Sequence, residues 1–180
     1  NDGIRDTDEV PIAGVLGMDV MRPFVVRMDP EQGEVRFLAP DSVEPIDKDD
    51  PNAVRLRREN RFGIRTLVPI RVNDQTIWPV LDTGATGTHL NGEKLGLEPT
   101  KVREDVVVRG TGASGTALRT VAYYDVLDLT LAGVNPGTVV VAGRSGGVGA
   151  GLLGLNVLSK YVATYDFRAG YARFEPVKPR

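Results

Sequence analysis

The stretch WPVLDTGATGTHL, residues 78–90, places one aspartate, Asp82, between an apolar run and a Thr-Gly pair. Two interpretations are open. Asp-Thr-Gly is ordinary turn chemistry at the end of a strand, because Asp and Gly both favour turns. The same turn could instead hold a carboxylate out from a rigid strand to do acid–base chemistry. The remaining residues decide between the two.

The composition narrows the chemistry in which Asp82 could take part. The 180 residues contain no cysteine and a single histidine, His89. Cysteine nucleophiles, disulfides and thiolate zinc sites are therefore excluded, and a histidine-rich metal site cannot form. A Ser-His-Asp hydrolase would have to use its only imidazole at His89. Hydrolysis by this chain must therefore depend on carboxylates, and we predict neither a metal nor a cofactor.

The charge pattern excludes several classes of partner. The formal net charge is −2, which gives no electrostatic case for binding nucleic acid or an anionic membrane. No run of about eighteen apolar residues occurs, so no membrane-spanning helix is predicted. The residues alone leave the cellular compartment open.

A glycine-rich segment, GTGASG at residues 110–115, has the spacing of a dinucleotide-binding loop. Such a loop needs a helix after it. The following residues, TALRTVAYYDVLDLTL, are rich in β-branched and aromatic side chains, which is typical of strands. We therefore interpret the segment as the tip of a long hairpin, where glycine frees the backbone.

The elements that must position Asp82 are also predicted to be strands. Residues 63–84 read as two strands joined at the hairpin signal Asn73-Asp74, and the second strand delivers Asp82. Residues 91–97, NGEKLGL, form a plausible short helix with Gly96 near its end. A turn is expected near residues 135–137, Asn-Pro-Gly. The fold class predicted is all-β with one or two short helices.

The chain also repeats itself. Residues 14–37 align with residues 151–174 at a constant offset of 137 and without gaps, and nine of 24 columns are identical. Chance would give one or two identities at most, so the pattern indicates a structural repeat. Each copy reads as an apolar run closing on glycine, a helical turn and a hairpin. The identical pairs are Gly14/Gly151, Leu16/Leu153, Gly17/Gly154, Val20/Val157, Val25/Val162, Asp29/Asp166, Gly33/Gly170, Arg36/Arg173 and Phe37/Phe174.

Residues 39–54 separate the first copy from the rest of the chain. They are rich in Pro and Asp and poor in apolar side chains, which favours an exposed linker, although a loop held across the surface is an alternative. We predict three regions: residues 1–38 as the C-terminal part of an incomplete first lobe, residues 39–60 as a linker, and residues 61–180 as a lobe carrying the Asp-Thr-Gly motif.

Three segments in the same order resemble the aspartic peptidases of the retropepsin and pepsin type, especially the bacterial retropepsin-like proteins. VLDTGAT, residues 80–86, is similar to their catalytic motif, and GLLG, residues 151–154, to the segment that threads past the catalytic loop. VVVRGTGASGTALRT, residues 106–120, lies where that family places its flap. The resemblance runs from about residue 62 to 176 and implies a pepsin/retropepsin-type acid protease lobe. It favours the bacterial periplasm or secretion.

The resemblance implies roles for individual residues. Asp82 would be catalytic, and the loop around it would be supported by Thr83, through its hydroxyl, Gly84, Ala85 and Thr86. The flap would include Gly110, Thr111, Gly112 and Ala113, and the threading segment Leu152, Leu153 and Gly154. Thr86 and Thr88 are expected to support the loop by local side-chain to backbone hydrogen bonds. The family suggests no role for His89, which we interpret as structural.

One departure from the family pattern concerns the number of aspartates. An acid protease needs two carboxylates that share a proton, and this chain has one Asp-Thr-Gly. The repeat predicts that the opening part of a first lobe, including the position equivalent to Asp82, precedes Asn1; that position could carry the second aspartate, and the repeat leaves its residue type open. The alternative is a homodimer in which Asp82 meets its symmetry mate.

Two function classes remain. The first is an aspartic endopeptidase acting on a peptide or protein substrate, with an N-terminal lobe fragment or a second copy of the chain as partner. The rival is a non-catalytic module of the same fold that holds an extended peptide by strand addition.

Overall fold

The computed structural model describes residues 16–60, 64–108, 116–143 and 151–178. The flap tip predicted at residues 110–113 lies outside these ranges, as do the first two residues of the repeat. Two one-turn helices occur, α1 (Met18–Met21) and α2 (Leu155–Leu158). Short 3₁₀ turns occupy Pro40–Ser42 and Glu93–Leu95.

All remaining regular structure in the described residues is strand, so the predicted all-β fold is confirmed. In chain order the strands are β1 (Val25–Asp29), β2 (Glu34–Leu38), β3 (Ala53–Arg55), β4 (Arg57–Glu59), β5 (Arg65–Leu67), β6 (Ile70–Val72), β7 (Gln75–Ile77), β8 (Val80–Leu81), β9 (Thr88–Leu90), β10 (Lys101–Val108), β11 (Thr116–Val126), β12 (Leu129–Leu131), β13 (Val139–Gly143), β14 (Gly151–Leu153), β15 (Tyr161–Asp166) and β16 (Tyr171–Pro176).

The largest sheet positions the Asp-Thr-Gly segment. Its strand order is β10-β11-β13-β9-β14-β8-β5-β4. Strand β14 enters between β8 and β9, running parallel to β8 and antiparallel to β9. Strands that precede and follow the aspartate loop are therefore separated by a strand from much later in the chain. A smaller sheet, β12-β6-β7, contains the hairpin predicted at Asn73-Asp74, and Asn73 takes the positive φ of 52° that such a turn uses.

A five-stranded sheet, β2-β1-β15-β16-β3, joins the two ends of the described chain. We call residues 16–38 the N-terminal hairpin unit and residues 153–175 the C-terminal hairpin unit. Adding 137 to the bounds of α1 gives those of α2, and both hairpins follow at the same offset. Arg27 pairs with Thr164, which is its own counterpart at that offset. The pairs on either side of it are mirrored, since Val26 pairs with Tyr165 and Met28 with Ala163, so a local two-fold axis between β1 and β15 relates the two units.

The hydrophobic core is formed by side chains from the large sheet, the small sheet and the C-terminal hairpin unit, with Val26 contributed by β1. Tyr161 and Tyr165 each meet Phe174 edge to face, with ring centroids 5.9 and 5.7 Å apart. Burial raises the pKa of Tyr161 to about 12, and it raises the pKa of Tyr165 as well. Both phenols thus stay neutral at physiological pH.

In three places the structure differs from what the sequence predicts. Residues 39–60, predicted as a linker, contain β3 and β4, which pair with β16 and β5; three-residue strands are too short to give an apolar alternation. The strand leading to Asp82 is interrupted between β7 and β8, because Pro79 has no N–H to continue a ladder. The short helix at residues 91–97 is a 3₁₀ turn, ended by Gly96 at a φ of 66°. The division into lobes and linker stays a prediction.

Candidate active site

Asp82 is the first residue after β8, and its backbone is fixed by the inserted strand β14. Its N–H donates to the carbonyl oxygen of Leu153 at 3.1 Å, continuing the parallel ladder in which Leu81 pairs with Leu153. The Asp82 residue is half-buried. The ladder thus fixes the backbone of Asp82 and leaves its side chain partly accessible.

The turn that follows is organised by the aspartate itself. The Gly84 N–H donates to Asp82 Oδ1 at 3.0 Å, and the Ala85 N–H reaches the Asp82 carbonyl oxygen at 3.3 Å. This is an Asx turn, in which the Asp side chain takes the place of a backbone carbonyl. A Cβ on Gly84 would lie 3.3 Å from the same carboxylate oxygen, a tight contact, so glycine keeps that side of the carboxylate open.

The helical turn α2 holds the far side of the loop through its first N–H groups. The Leu155 N–H donates to the Ala85 carbonyl oxygen at 2.8 Å, and the Asn156 N–H donates to that of Thr86 at 3.1 Å. Gly154 passes directly beneath the loop. A Cβ there would collide with the carbonyl oxygen of Gly87 and lie 2.8 Å from that of Ala85, so only glycine fits.

A buried hydroxyl links the loop to α2. Thr88, 1% exposed, donates its Oγ1 hydroxyl to Asn156 Oδ1 at 2.7 Å and accepts the Gly154 N–H at 3.0 Å. Asn156 Nδ2 in turn donates to the Val140 carbonyl oxygen at 2.9 Å. The two bonds of Thr88 join it to residues 66 and 68 positions away, so the local bonding expected of Thr88 is wrong.

Several sequence-predicted site residues thus come together around Asp82. Leu153 and Gly154 pack beside the loop, as expected of the threading segment, while Leu152 pairs with Val80 and His89 through the backbone. Sequence reasoning missed Asn156. The sequence did contain a clue. In the aligned repeats Asn156 corresponds to Asp19, and this is the one polar pair among the four aligned positions of the helical turn.

The other residues predicted to belong to the site make fewer contacts with the Asp82 loop. Thr83 is half-buried, and within the described residues its hydroxyl makes no hydrogen bond, so its role in holding the loop stays a prediction. Thr86 contributes its carbonyl oxygen while its side chain is exposed. His89 is half-buried on β9, flanked by β13 and β14. In the same ranges no lysine or arginine forms an ion pair with Asp82, so its carboxylate is not committed to a salt bridge.

The sequence family follows from comparison with known proteins. A family model described as aspartyl protease matches residues 68–157, which is half of the chain. The chain belongs to the aspartyl protease family.

The matched range of this aspartyl protease spans the Asp82 loop, the hairpin β10–β11 and the α2 turn that holds the loop. Among solved structures, a crystal structure of a retropepsin-like aspartic protease from Rickettsia conorii is similar to the chain, with 19% sequence identity and a TM-score of 0.49. The match covers 68% of this chain and 90% of that one. No curated protein matches.

In the ranges that the structure describes, no group of three or more His, Cys, Asp or Glu side chains is placed to hold a metal ion. The same ranges contain no helix long and apolar enough to span a bilayer.

Proposed function

We propose that this aspartyl protease is an endopeptidase in which Asp82 supplies one of two carboxylates that activate a water molecule. The observation that carries the proposal is the rigid support of a half-buried, uncommitted carboxylate. The Asp82 loop is bonded to β14 and α2 through Leu153, Leu155 and Asn156, and it accepts the Gly84 N–H. A structural turn would not need this many long-range bonds.

The chemistry needs a second carboxylate from outside the described residues, supplied by a homologous lobe or by a second subunit. Two carboxylates about 3 Å apart cannot both ionise, so one keeps a proton. Aspartic proteases are the reference case of this effect. The ionised carboxylate takes a proton from water as the water oxygen attacks the peptide carbonyl carbon, and the protonated one donates to the carbonyl oxygen. Collapse of the resulting diol breaks the C–N bond, and the amine leaves with a proton.

The loop bonds have a specific role in this scheme. The N–H of Gly84 donates to Oδ1 of Asp82 and so fixes the orientation of the carboxylate. The flap proposed at Gly110, Thr111, Gly112 and Ala113 would close over the substrate. Thr83 would hold the loop through its hydroxyl, and Ala85 through the bond of its carbonyl oxygen to the Leu155 N–H. No metal or cofactor enters the scheme.

The test compares two Asp→Asn substitutions in the protein isolated from its source with any bound lobe or subunit. Asp82→Asn should lower the rate of peptide-library cleavage at acidic to mildly acidic pH by about a hundredfold or more. Its circular dichroism and melting temperature should barely change, because the Asp82 carboxylate forms no ion pair within the described ranges.

Asp74→Asn is the matched control, since Asp74 is fully exposed on the β6–β7 turn and pairs only with Arg71. This variant should keep full activity. Cleavage by Asp82→Asn at the rate of the unmodified protein would refute the assignment, and binding of extended peptides without cleavage by either protein would favour the binding-module alternative.

A further inference from the structure

The two hairpin units have the same architecture and opposite surroundings. Phe24 and Phe37 meet edge to face at 5.7 Å and 85°, and their counterparts Tyr161 and Phe174 meet at 5.9 Å and 81°. In the C-terminal unit five apolar side chains are at most 1% exposed, whereas their counterparts in the N-terminal unit are 36% to 61% exposed. The counterpart pairs are Leu153/Leu16, Val157/Val20, Tyr161/Phe24, Ala172/Val35 and Phe174/Phe37.

What covers the C-terminal unit is known from the structure. We call residues 64–143 the Asp82 body. Its Val134 carbonyl oxygen accepts the hydroxyl of Tyr161, its loop accepts the N–H groups of α2, and its buried side chains share one cluster with those of the unit. Beside the Asp82 body, β3 pairs with β16 at Tyr171, Ala172 and Arg173.

The N-terminal unit offers the same two features to another molecule or segment. Within the described ranges β2 pairs only with β1, so the backbone of Glu34, Val35 and Arg36 is open at the positions where β16 receives β3. The exposed apolar side chains Leu16, Val20, Phe24, Val35 and Phe37 form an apolar face. An open strand edge beside an apolar face is a site for pairing with another chain.

Gly17 points to the same kind of occupant. Its counterpart Gly154 must be glycine because the Asp82 loop passes over it. Gly17 has a φ of −85°, which any residue adopts, and among described residues only the Asp19 side chain lies near a Cβ built there, at 2.6 Å. The described residues therefore give no steric reason for this glycine, whereas a second loop passing over it would.

We propose that the N-terminal hairpin unit completes a second, non-identical protease body, which docks on the apolar face, adds a strand to β2 at Glu34–Arg36 and carries its own aspartate loop over Gly17. The inference deepens the proposed function, since that body would bring the second carboxylate. The geometry favours this occupant over a second copy of the chain, because a second copy brings as many uncovered hairpin units as it could cover. The described residues of each copy contain two hairpin units and one Asp82 body.

The groups of the Asp82 body that could hold a hairpin unit are already bonded to the C-terminal unit of the same chain. The carbonyl oxygens of Ala85 and Thr86 accept from Leu155 and Asn156, and Gly87 lies against Gly154. A second copy therefore brings neither a free loop for Gly17 nor a free core for the apolar face. Exchange of units between two copies leaves one unit uncovered in each. Only a different body satisfies both units.

The chemistry of Asp19 specifies one contact of the second body. Its counterpart Asn156 accepts the Thr88 hydroxyl and donates to the Val140 carbonyl oxygen. An ionised Asp19 accepts only. The second body should therefore present a hydroxyl or N–H donor where the Asp82 body presents the Val140 carbonyl.

Hydrogen exchange measured by mass spectrometry tests the inference without relying on activity. Residues 34–38 are compared with residues 171–176 in the 180-residue chain alone and in the protein isolated from its source cells through a C-terminal tag. We expect residues 34–38 to exchange fast in the chain alone and about tenfold or more slowly in the isolated protein, with residues 171–176 slow in both. Unchanged exchange at residues 34–38 would overturn the inference, as would a native mass spectrum showing a symmetric pair of these 180 residues.

Variants on the apolar face separate docking from general destabilisation. Val35→Lys combined with Phe37→Lys should release the second body and restore fast exchange at residues 34–38. Leu127→Lys is the control, because Leu127 is more exposed than Val35 and Phe37 and lies between β11 and β12, outside both hairpin units. In the 180-residue chain each substitution should lower the free energy of unfolding by less than about 1 kcal/mol, since these side chains are largely exposed.

Failure of the proposed function would look different. If Asp82→Asn left cleavage intact while residues 34–38 stayed protected, the catalytic role would fail and the docked body would stand. An active symmetric dimer of the 180-residue chain would support the catalytic role and overturn the second body.

Discussion

The N-terminal and C-terminal hairpin units are nearly the same object in two environments. Both contain a one-turn helix and a hairpin at an offset of 137, and both hold an edge-to-face aromatic pair. The Asp82 body buries Leu153, Val157 and Phe174 of the C-terminal unit, whereas their counterparts Leu16, Val20 and Phe37 stay exposed. The comparison teaches that a repeat in the sequence encodes which face of a unit is to be buried, while the covering partner is encoded elsewhere.

The difference has a large energetic consequence. Fully burying one Val, Leu or Phe side chain is worth about 1.5–3 kcal/mol. The C-terminal unit gains this for Leu153, Val157 and Phe174, and the N-terminal unit gains only part of it for their counterparts. Matched substitutions in the two units should therefore have very unequal effects on the 180-residue chain.

The largest contrast is expected at the paired phenylalanines. Phe174→Ala should lower the free energy of unfolding by about 3–5 kcal/mol, because it opens a cavity among fully buried rings. Phe37→Ala should lower it by less than about 1 kcal/mol. Urea denaturation of both variants measures the contrast, and equal losses would mean that the N-terminal face is covered within the chain.

The paired glycines come next. Gly154→Ala should cost about 1–3 kcal/mol, because the new methyl group meets the carbonyl oxygens of Gly87 and Ala85. It should also speed hydrogen exchange in residues 82–88. Gly17→Ala meets only the Asp19 side chain, which can rotate, so its effect in the 180-residue chain should be small. A loop unaffected by Gly154→Ala would contradict the close passage.

A charge swap at the counterpart polar residues should have a moderate effect. Asn156→Asp keeps the acceptor for Thr88 but removes the donor to the Val140 carbonyl oxygen, at a cost of about 1–3 kcal/mol. Asp19→Asn should leave the stability of the 180-residue chain unchanged, because Asp19 is exposed. The urea midpoints of the two variants provide the comparison, and a loss from Asp19→Asn would reveal an unexpected partner.

The smallest contrast concerns Tyr161, whose counterpart is Phe24. The phenol ionises near its usual pKa of 10 in the unfolded chain but only at about 12 in the folded protein. Its contribution is therefore complete below pH 10 and is lost as pH rises from 10 to 12.

Tyr161→Phe should remove that part of the alkaline loss. At neutral pH it should cost only about 0.5–1.5 kcal/mol for the hydrogen bond to Val134. Urea denaturation at neutral and alkaline pH measures both effects. An unchanged alkaline slope in the Phe variant would assign the loss to other groups, Tyr165 first among them, because burial raises its pKa too.

The sequence predicted those features that local chemistry determines. The turn at Asp82 follows from Asp-Thr-Gly, the hairpin at Asn73 from Asn-Asp, and the 3₁₀ stop from Gly96. The clamp formed by Thr88 and Asn156 could not be predicted, because its bonds join residues far apart in the chain. The strand β3 was missed because it is held by pairing with β16 and not by its own pattern.

Because the Thr88–Asn156 clamp joins residues far apart in the sequence, it can form only late in the synthesis of this region on the ribosome. A chain emerges from its N-terminal end, and its parts fold as their partners become available. The segment around Asp82 leaves the ribosome before the groups that hold it, since Leu153 to Asn156 follow only after some 70 further residues. While those residues are being synthesised, the Asp82 loop has no partner to fix its geometry, so the carboxylate can be positioned for catalysis only after α2 has emerged.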